Sequence, residues 1–353
     1  MTHFAGWQMP LQYSSVREEQ TAVRTATGVF DVSHMGRLAI EGGGAGPFLD
    51  SVVTNSVGGL EPGQARYTLM CDQDGGILDD LIVYREPEGN WRCVVNAAGC
   101  QNDLAWMRER APAGVRVEDR TQTTALIAVQ GPGAERLLAQ VGPDLSQLGY
   151  FEVGTCSLAG ASMSVSRTGY TGEDGFELFV PAARAAATWK LLIQAGAAPC
   201  GLAARDVLRL EAGLRLCGSD MDRTTNPYEV GLGWTVKLDK PEFVGRAALA
   251  ALKSGETKRS LVGLVGAGRD IPRHGAQLGE EPALGWVTSG TYSFWLKRGI
   301  GFGLVNREVS VGSQVSMAVH GGWGWAEISR LPFYRGTAGK KGGVRRLGEG
   351  GNG

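Results

Sequence analysis

The sequence predicts an α+β fold with antiparallel sheets, followed by a small all-β unit. Strand-like runs come in pairs separated by helical stretches instead of alternating singly with helices, which favours antiparallel hairpins. Glycine reaches 54 of 353 residues, about twice its usual share, and is spread over many short turns. From residue 260 to 333, short strands and turns follow one another without a clear helix, as in a small barrel or sandwich.

In chain order, apolar periodicity predicts helices at 16–25, 101–110, 134–140, 182–195, 203–216 and 245–253. Strands are predicted at 77–84, 91–97, 125–130, 162–167 and 176–180. The polar break Lys253-Ser254-Gly255-Glu256-Thr257 marks a domain boundary. The expected division is 1–254, a barrel at 258–336, and a Gly/Lys/Arg-rich tail at 337–353 expected to be disordered.

Lys plus Arg number 35 against 36 acids, a balance that argues against a nucleic-acid surface. No apolar run approaches the about 20 residues a membrane helix needs. Met1-Thr2-His3-Phe4 lacks the basic-then-apolar pattern of a secretory signal. The six cysteines are scattered without CxxC spacing and read as reduced thiols of a cytoplasmic protein. The four histidines are dispersed without metal-ligand spacing, and His34 is read as a structural, hydrogen-bonded residue.

One element breaks its own pattern. Ile77-Leu78-Asp79-Asp80-Leu81-Ile82-Val83-Tyr84 is an apolar strand that carries two adjacent acids. Strand alternation puts Ile77, Asp79, Leu81 and Val83 on one face and Leu78, Asp80, Ile82 and Tyr84 on the other. Each apolar face then holds one carboxylate, a group that strands disfavour and burial penalises by several kcal/mol. A chain that accepts this cost is expected to use one of the acids. The neighbouring strand leaves two registers open. If Tyr84 pairs with Arg92, Asp80 lies opposite Asn96; if Tyr84 pairs with Trp91, Asp79 takes that place.

Ten blocks extend the reading: HFAGWQMPLQY (3–13), GVFDVSHMGR (28–37), GGILDDLIVY (75–84), VVNAAGCQNDLAWM (94–107), LIAVQGP (126–132), SRTGYTGEDGFEL (166–178), GLAARDVLRLEAGL (201–214), NPYEVGLGWTVKL (226–238), GWVTSGTYS (285–293) and LPFYRG (331–336). In this order and spacing they closely resemble the T-protein family of the glycine cleavage system, the aminomethyltransferases, from residue 3 to about 336. The resemblance implies two related α+β lobes around a folate-binding channel, with a C-terminal β-barrel. It implies transfer of the one-carbon unit of an aminomethyl group, held on the lipoyl arm of the H-protein, to tetrahydrofolate. The products would be 5,10-methylene-tetrahydrofolate, ammonia and dihydrolipoyl H-protein.

The family's essential aspartate falls on Asp80. Flanking Leu78, Ile82 and Tyr84 would raise its carboxyl pKa, which suits a group that takes up a proton near neutrality. Asp79, on the other face, is expected to stay out of that pocket and to pair with a backbone N–H or a basic residue. The resemblance makes Asn96 a folate contact and Glu177 the pterin-binding acid, since two carboxylate oxygens match an adjacent donor pair. It places Tyr67 and Tyr170 as aromatic walls, Met35 in the same cavity, and Arg205 and Arg335 as folate-facing cations. Trp234 is read as packing.

The chain departs from the family in three places. It opens almost at the FAGW block, with His3 where Asp is common, so H-protein docking is the function in question. Phe294-Trp295 replaces smaller or polar residues near the channel mouth, and the tail after 336 is not family-like. The alternative function is a folate-binding protein of the same fold acting in iron–sulfur cluster maintenance. That sister group carries a K-G-C-[YF]-x-G-Q-E block, whereas here Lys240-Pro241-Glu242-Phe243-Val244-Gly245-Arg246 has no cysteine. Flavin-dependent relatives would need a G-x-G-x-x-G after an N-terminal strand, which is absent here.

Overall fold

The computed structural model describes residues 1–255, 257–306 and 309–340. Among these, two main sheets and a barrel carry the architecture. A five-stranded antiparallel sheet runs in the order Gln64–Cys71, Ile77–Arg85, Trp91–Val95, Gly36–Glu41 and Arg116–Asp119. A six-stranded sheet runs in the order Val153–Leu158, Ala161–Ser166, Gly175–Pro181, Thr124–Gln130, Gly28–Asp31 and Ala198–Pro199. Its last pair is parallel, a local exception to the expected antiparallel pattern. The chain passes from Gly28–Asp31 in one sheet to Gly36–Glu41 in the other, so the two lobes interleave.

Each sheet covers one face with its own helices. Ala45–Val52 and Cys100–Arg110 close the first lobe over Leu38, Leu81, Val83 and Val95. Ala134–Val141 and Ala185–Gln194 close the second over Ile127, Phe176 and Leu178. The inner faces meet at Tyr84, Val94, Leu126 and Phe179, joined by Ala204 and Leu208 of helix Leu202–Glu211. The closed barrel runs Ser260–Gly266, Arg298–Val305, Gly285–Ser293, Gln277–Leu278, Gln314–Val319 and Gly322–Ser329. It joins helix Leu202–Glu211 where Leu210 packs with Ile300 and Phe302.

Most expected elements are present, with adjusted ends. Helix Val16–Thr25 starts at Ser15, whose side chain accepts the Glu18 N–H. The helix expected at 203–216 stops at Glu211. Gly213 lies at φ +71, and the Leu214 N–H turns back to the Arg209 carbonyl, a left-handed glycine stop. Helix Ala45–Val52 was not expected: its start, Gly42-Gly43-Gly44, reads as a turn, yet Pro47 sits in the first helical turn where its missing N–H costs nothing.

The tail expectation is corrected for residues 337–340. The Thr337 N–H and hydroxyl donate to Glu173 Oε2 at 3.1 and 2.7 Å, and the Asp174 N–H donates to Thr337 Oγ1 at 2.9 Å. Residues 341–353 lie outside the described residues, as does Glu256 of the predicted boundary.

Candidate active site

Strand Ile77–Arg85 pairs Tyr84 with Arg92, so the register that brings Asn96 level with Asp80 is the one formed. On its other edge the strand pairs Met70 with Asp79 but Cys71 with Ile77, leaving Leu78 as the extra residue of a bulge. Bulges re-aim side chains beside functional sites. Here the bulge breaks the predicted alternation. Ile77 joins Leu69 and Cys71, whereas Leu78 packs on the core of Leu81 and Val83. Leu78 therefore does not flank Asp80 as the sequence suggested, and Asp79 is buried at 1% exposure.

Asp80 opens onto a cavity of about 2100 Å³ between the lobes and the barrel. Met35, Tyr67, Asn96 and Tyr170 line the same cavity, as do Glu177, Arg205 and Arg335, so every predicted site residue is on its wall. Arg335 is the outlier: it is exposed and forms no ion pair among the described residues. Phe294 also reaches the wall, 40% exposed, next to Tyr292.

Asp80 is held from both sides. The Tyr67 hydroxyl donates to Oδ2 at 3.0 Å, and Asn96 Nδ2 donates to Oδ1 at 2.7 Å. Burial pushes its carboxyl up to about 7, and the charge of Asp79 adds to the rise. Tyr67 in turn stacks on Trp234, with centroids 6.0 Å apart. Trp234 is thus part of the cavity wall as well as packing.

Asp79 does not keep to itself. It accepts the Asn96 backbone N–H at Oδ2 (2.9 Å), the expected kind of pairing, but Asn96 Nδ2 also donates to its Oδ1 at 2.7 Å. One asparagine side chain therefore bridges both acids. Asp79, Asp80 and Cys217 each bring one potential ligand atom within 4.8 Å of the others. The Asn96 amide already donates to both carboxylates, and burial holds the Cys217 thiol protonated, so this set is built as a hydrogen-bonded cluster. Asp103 stands behind Asp79 and was missed by sequence reasoning. An acid in the first turn of a helix is the most ordinary of surface acids, so nothing in the sequence marked it.

A second polar group sits on strand Gly175–Pro181. Glu177 is 6% exposed, and its Oε2 accepts the Thr168 hydroxyl at 2.5 Å. Burial raises its carboxyl, while Thr168 and the Arg205 charge oppose the rise. Arg205 lies over the Tyr170 ring at 4.7 Å and touches Met35 Sδ at 3.6 Å, with no carboxylate within ion-pair distance among the described residues. The Tyr170 hydroxyl donates to the Arg215 carbonyl at 2.5 Å, which fixes the ring. His34 lines the cavity too, but its Nδ1 is buried without a partner among the described residues, contrary to the expected hydrogen bond. Burial, with Arg205 beside it, lowers His34 to about 3 and keeps the ring neutral.

Residues 1–240 match the GCVT N-terminal domain, and residues 259–335 match the glycine cleavage T-protein C-terminal barrel domain. The chain is 46% identical over 343 residues to an aminomethyltransferase of Geobacillus thermodenitrificans, covering 94% of this chain and 93% of that one. It is 41% identical over 341 residues to an aminomethyltransferase of Bacillus subtilis, covering 94% of each. The crystal structure of glycine cleavage system aminomethyltransferase T from Bartonella henselae aligns with a TM-score of 0.90 at 34% identity, covering 96% of this chain and 94% of that one. With both domain matches, these identities and the same lobe-and-barrel architecture, the chain belongs to the glycine cleavage T-protein family of aminomethyltransferases.

Proposed function

We propose that this chain transfers the one-carbon unit of an aminomethyl group, carried on the lipoyl arm of an H-protein, to tetrahydrofolate. The products are 5,10-methylene-tetrahydrofolate, ammonia and the dihydrolipoyl H-protein, and the proposed compartment is the cytoplasm. Among the described residues no helix is long and apolar enough to cross a membrane. The observation that carries the reading is one cavity holding two unlike acids: Asp80, raised toward neutrality, and Glu177, beside the Arg205 guanidinium, which has no ion pair among the described residues.

The residues present suit a folate. Among the described residues, Thr168 is the donor bonded to Glu177, at Oε2, so capacity remains for the adjacent N–H donors of a pterin. Arg205 has donors free for a carbonyl or carboxylate, and the Tyr170 and Tyr67 rings offer faces for a flat ring. Bound tetrahydrofolate supplies the amine nitrogens that accept the carbon. Asp80 would carry the protons that must pass from those amines to the departing nitrogen and sulfur, and a carboxyl near 7 can both take and return one. Tyr67 and Asn96 keep the carboxyl aimed while it does so.

The test is an assay with aminomethylated H-protein and tetrahydrofolate. Ammonia and 5,10-methylene-tetrahydrofolate are expected in equal amounts, and no turnover would sink the reading. Within it, Glu177→Gln replaces a charged acceptor by an amide of the same shape. Losing hydrogen bonds to a charged group is expected to raise the KM for folate about 10- to 100-fold while kcat changes little. An unchanged KM would remove Glu177 from folate binding.

A further inference from the structure

Two hydroxyls stand in series behind Glu177. Strands Ala161–Ser166 and Gly175–Pro181 are antiparallel, and their register pairs Ser166 directly with Glu177. Directly paired residues share a face of the sheet, so the serine sits beside the acid. On its other edge Glu177 is paired with Ala128, whose side chain offers no donor. Two residues after Ser166, Thr168 places its Oγ1 2.5 Å from Glu177 Oε2 and 2.6 Å from Ser166 Oγ. Ser166, Thr168 and Glu177 are 0%, 2% and 6% exposed, and Glu177 alone of the three lines the cavity.

The direction of this chain of hydroxyls follows from its end. An ionised carboxylate accepts and cannot donate, so Thr168 gives its one proton to Glu177. The Thr168 oxygen is then the acceptor of the other bond, and the Ser166 hydroxyl is its donor. A hydroxyl that accepts one bond donates the next more strongly, and a bond of this length to a carboxylate is a strong one. Most side-chain hydrogen bonds go to backbone or water. Here two buried hydroxyls act in series on one carboxylate that faces a cavity.

The loop that carries Thr168 is fixed independently of Glu177. Gln130, 1% exposed, donates from Nε2 to the Thr168 carbonyl at 3.1 Å and accepts the Thr171 hydroxyl at 2.9 Å. Gly169 makes room for this clamp: a Cβ there would meet Gln130 Oε1 at 1.9 Å. On the other side of Thr168, Arg167 donates to both oxygens of Asp174, at 2.9 and 2.6 Å. A hydroxyl on so constrained a loop orients the carboxylate it touches and does not follow it.

We propose that Thr168 is a positioning residue: with Ser166 behind it, it pins Glu177 Oε2 and holds the carboxylate turned to the cavity, where both oxygens can accept the adjacent N–H donors of a pterin. Thr168 itself touches no ligand. This rests on the reading of Glu177 as the folate-binding acid.

The experiment measures KM and kcat for tetrahydrofolate at saturating aminomethylated H-protein. Valine has the shape of threonine without the hydroxyl. Thr168→Val is expected to raise KM about 3- to 10-fold, less than Glu177→Gln because the acid is still present, while kcat falls by less than about 2-fold. KM does not depend on the fraction of chains that are folded, so a loss of stability does not imitate this result. Thr168→Ser keeps the donor and should hold KM within about 2-fold of wild type. In a Glu177→Gln chain, Thr168→Val should change KM by less than about 2-fold, because the group it positions is gone. Ser166→Ala should raise KM about 2- to 4-fold, and this variant decides the matter if the valine chain fails to fold. A KM unmoved by Thr168→Val, or by Ser166→Ala in that case, overturns the proposal. So does an equal rise for Thr168→Val in the wild-type and Glu177→Gln backgrounds, or a rise in Thr168→Ser equal to that in valine. An unchanged KM in Glu177→Gln alone would overturn the reading of Glu177 and this role with it; a raised KM there with none in Thr168→Val would overturn the positioning role only.

Discussion

Asp80→Asn is expected to slow formation of 5,10-methylene-tetrahydrofolate by about 10²–10⁴-fold, the usual worth of a positioned acid–base group. The KM for folate should change little, because asparagine keeps the size and most of the hydrogen bonding with Tyr67 and Asn96. The wild-type rate should rise with pH through about 7, as the buried carboxyl ionises and becomes able to accept a proton, and this limb should vanish in the variant. Stability must move the other way. A carboxyl raised from the ordinary range to about 7 on folding contributes stability below the ordinary range and loses it as pH rises through about 7. At pH 8 wild type carries a buried anion that the variant does not, so Asp80→Asn should have the higher Tm there, with the gap closing toward pH 4. Calorimetry at both pH values separates lost chemistry from lost folding: a lower Tm in the variant at pH 8 would mean the inactivity is structural. Equal turnover by the variant would take Asp80 out of the mechanism.

That one acid carries this weight was partly legible from the chain. The apolar frame around Asp79-Asp80 showed that burial was being forced on carboxylates, and the family blocks selected the second of the two. The register stayed open because Arg92 and Trp91 are equally acceptable partners for Tyr84 when both strand faces are apolar. What the chain hid was the bulge at Leu78. A bulge leaves no compositional mark when the extra residue is another leucine, yet it moves Leu78 away from Asp80. Asp103 was hidden for a different reason: its place near Asp79, with both carboxyls close to Gly99, depends on how a helix packs against a strand some two dozen residues earlier in the chain. The cavity residues on separate lobes, such as Tyr67 and Glu177, were gathered by resemblance alone, because periodicity cannot say which faces of two sheets will look at each other. The barrel was legible from its repeated short strands, but its attachment to the lobes was not.

That attachment gives the largest stability effect. Arg24→Met is expected to destabilise the fold by about 3–5 kcal/mol, the cost of removing one partner from a buried ion pair. Arg24 is buried with both of its acids: Nη1 meets Glu173 at 2.9 Å and Nη2 meets Glu211 at 2.6 Å. Nη1 also donates to the Thr171 carbonyl at 2.8 Å, and the guanidinium lies 4.1 Å from the centre of the Tyr334 ring. The two carboxylates reach outward from this point. Glu211 accepts Gln20 and the barrel residue Ser293, and Glu173 accepts Thr337 beyond the barrel. One guanidinium therefore compensates two acids that bind the first helix, the second lobe, the barrel and the segment after it. Methionine fills the volume but leaves both acids without a counter-charge in a dry site, so they must be protonated or hydrated at the expense of packing. Urea denaturation measures the loss, and the double variant Arg24→Met with Glu211→Gln should recover part of it, because one stranded charge is gone. A loss below about 1 kcal/mol would place this pair with ordinary surface ion pairs and would mean that the barrel is held by the Leu210, Ile300 and Phe302 contact instead.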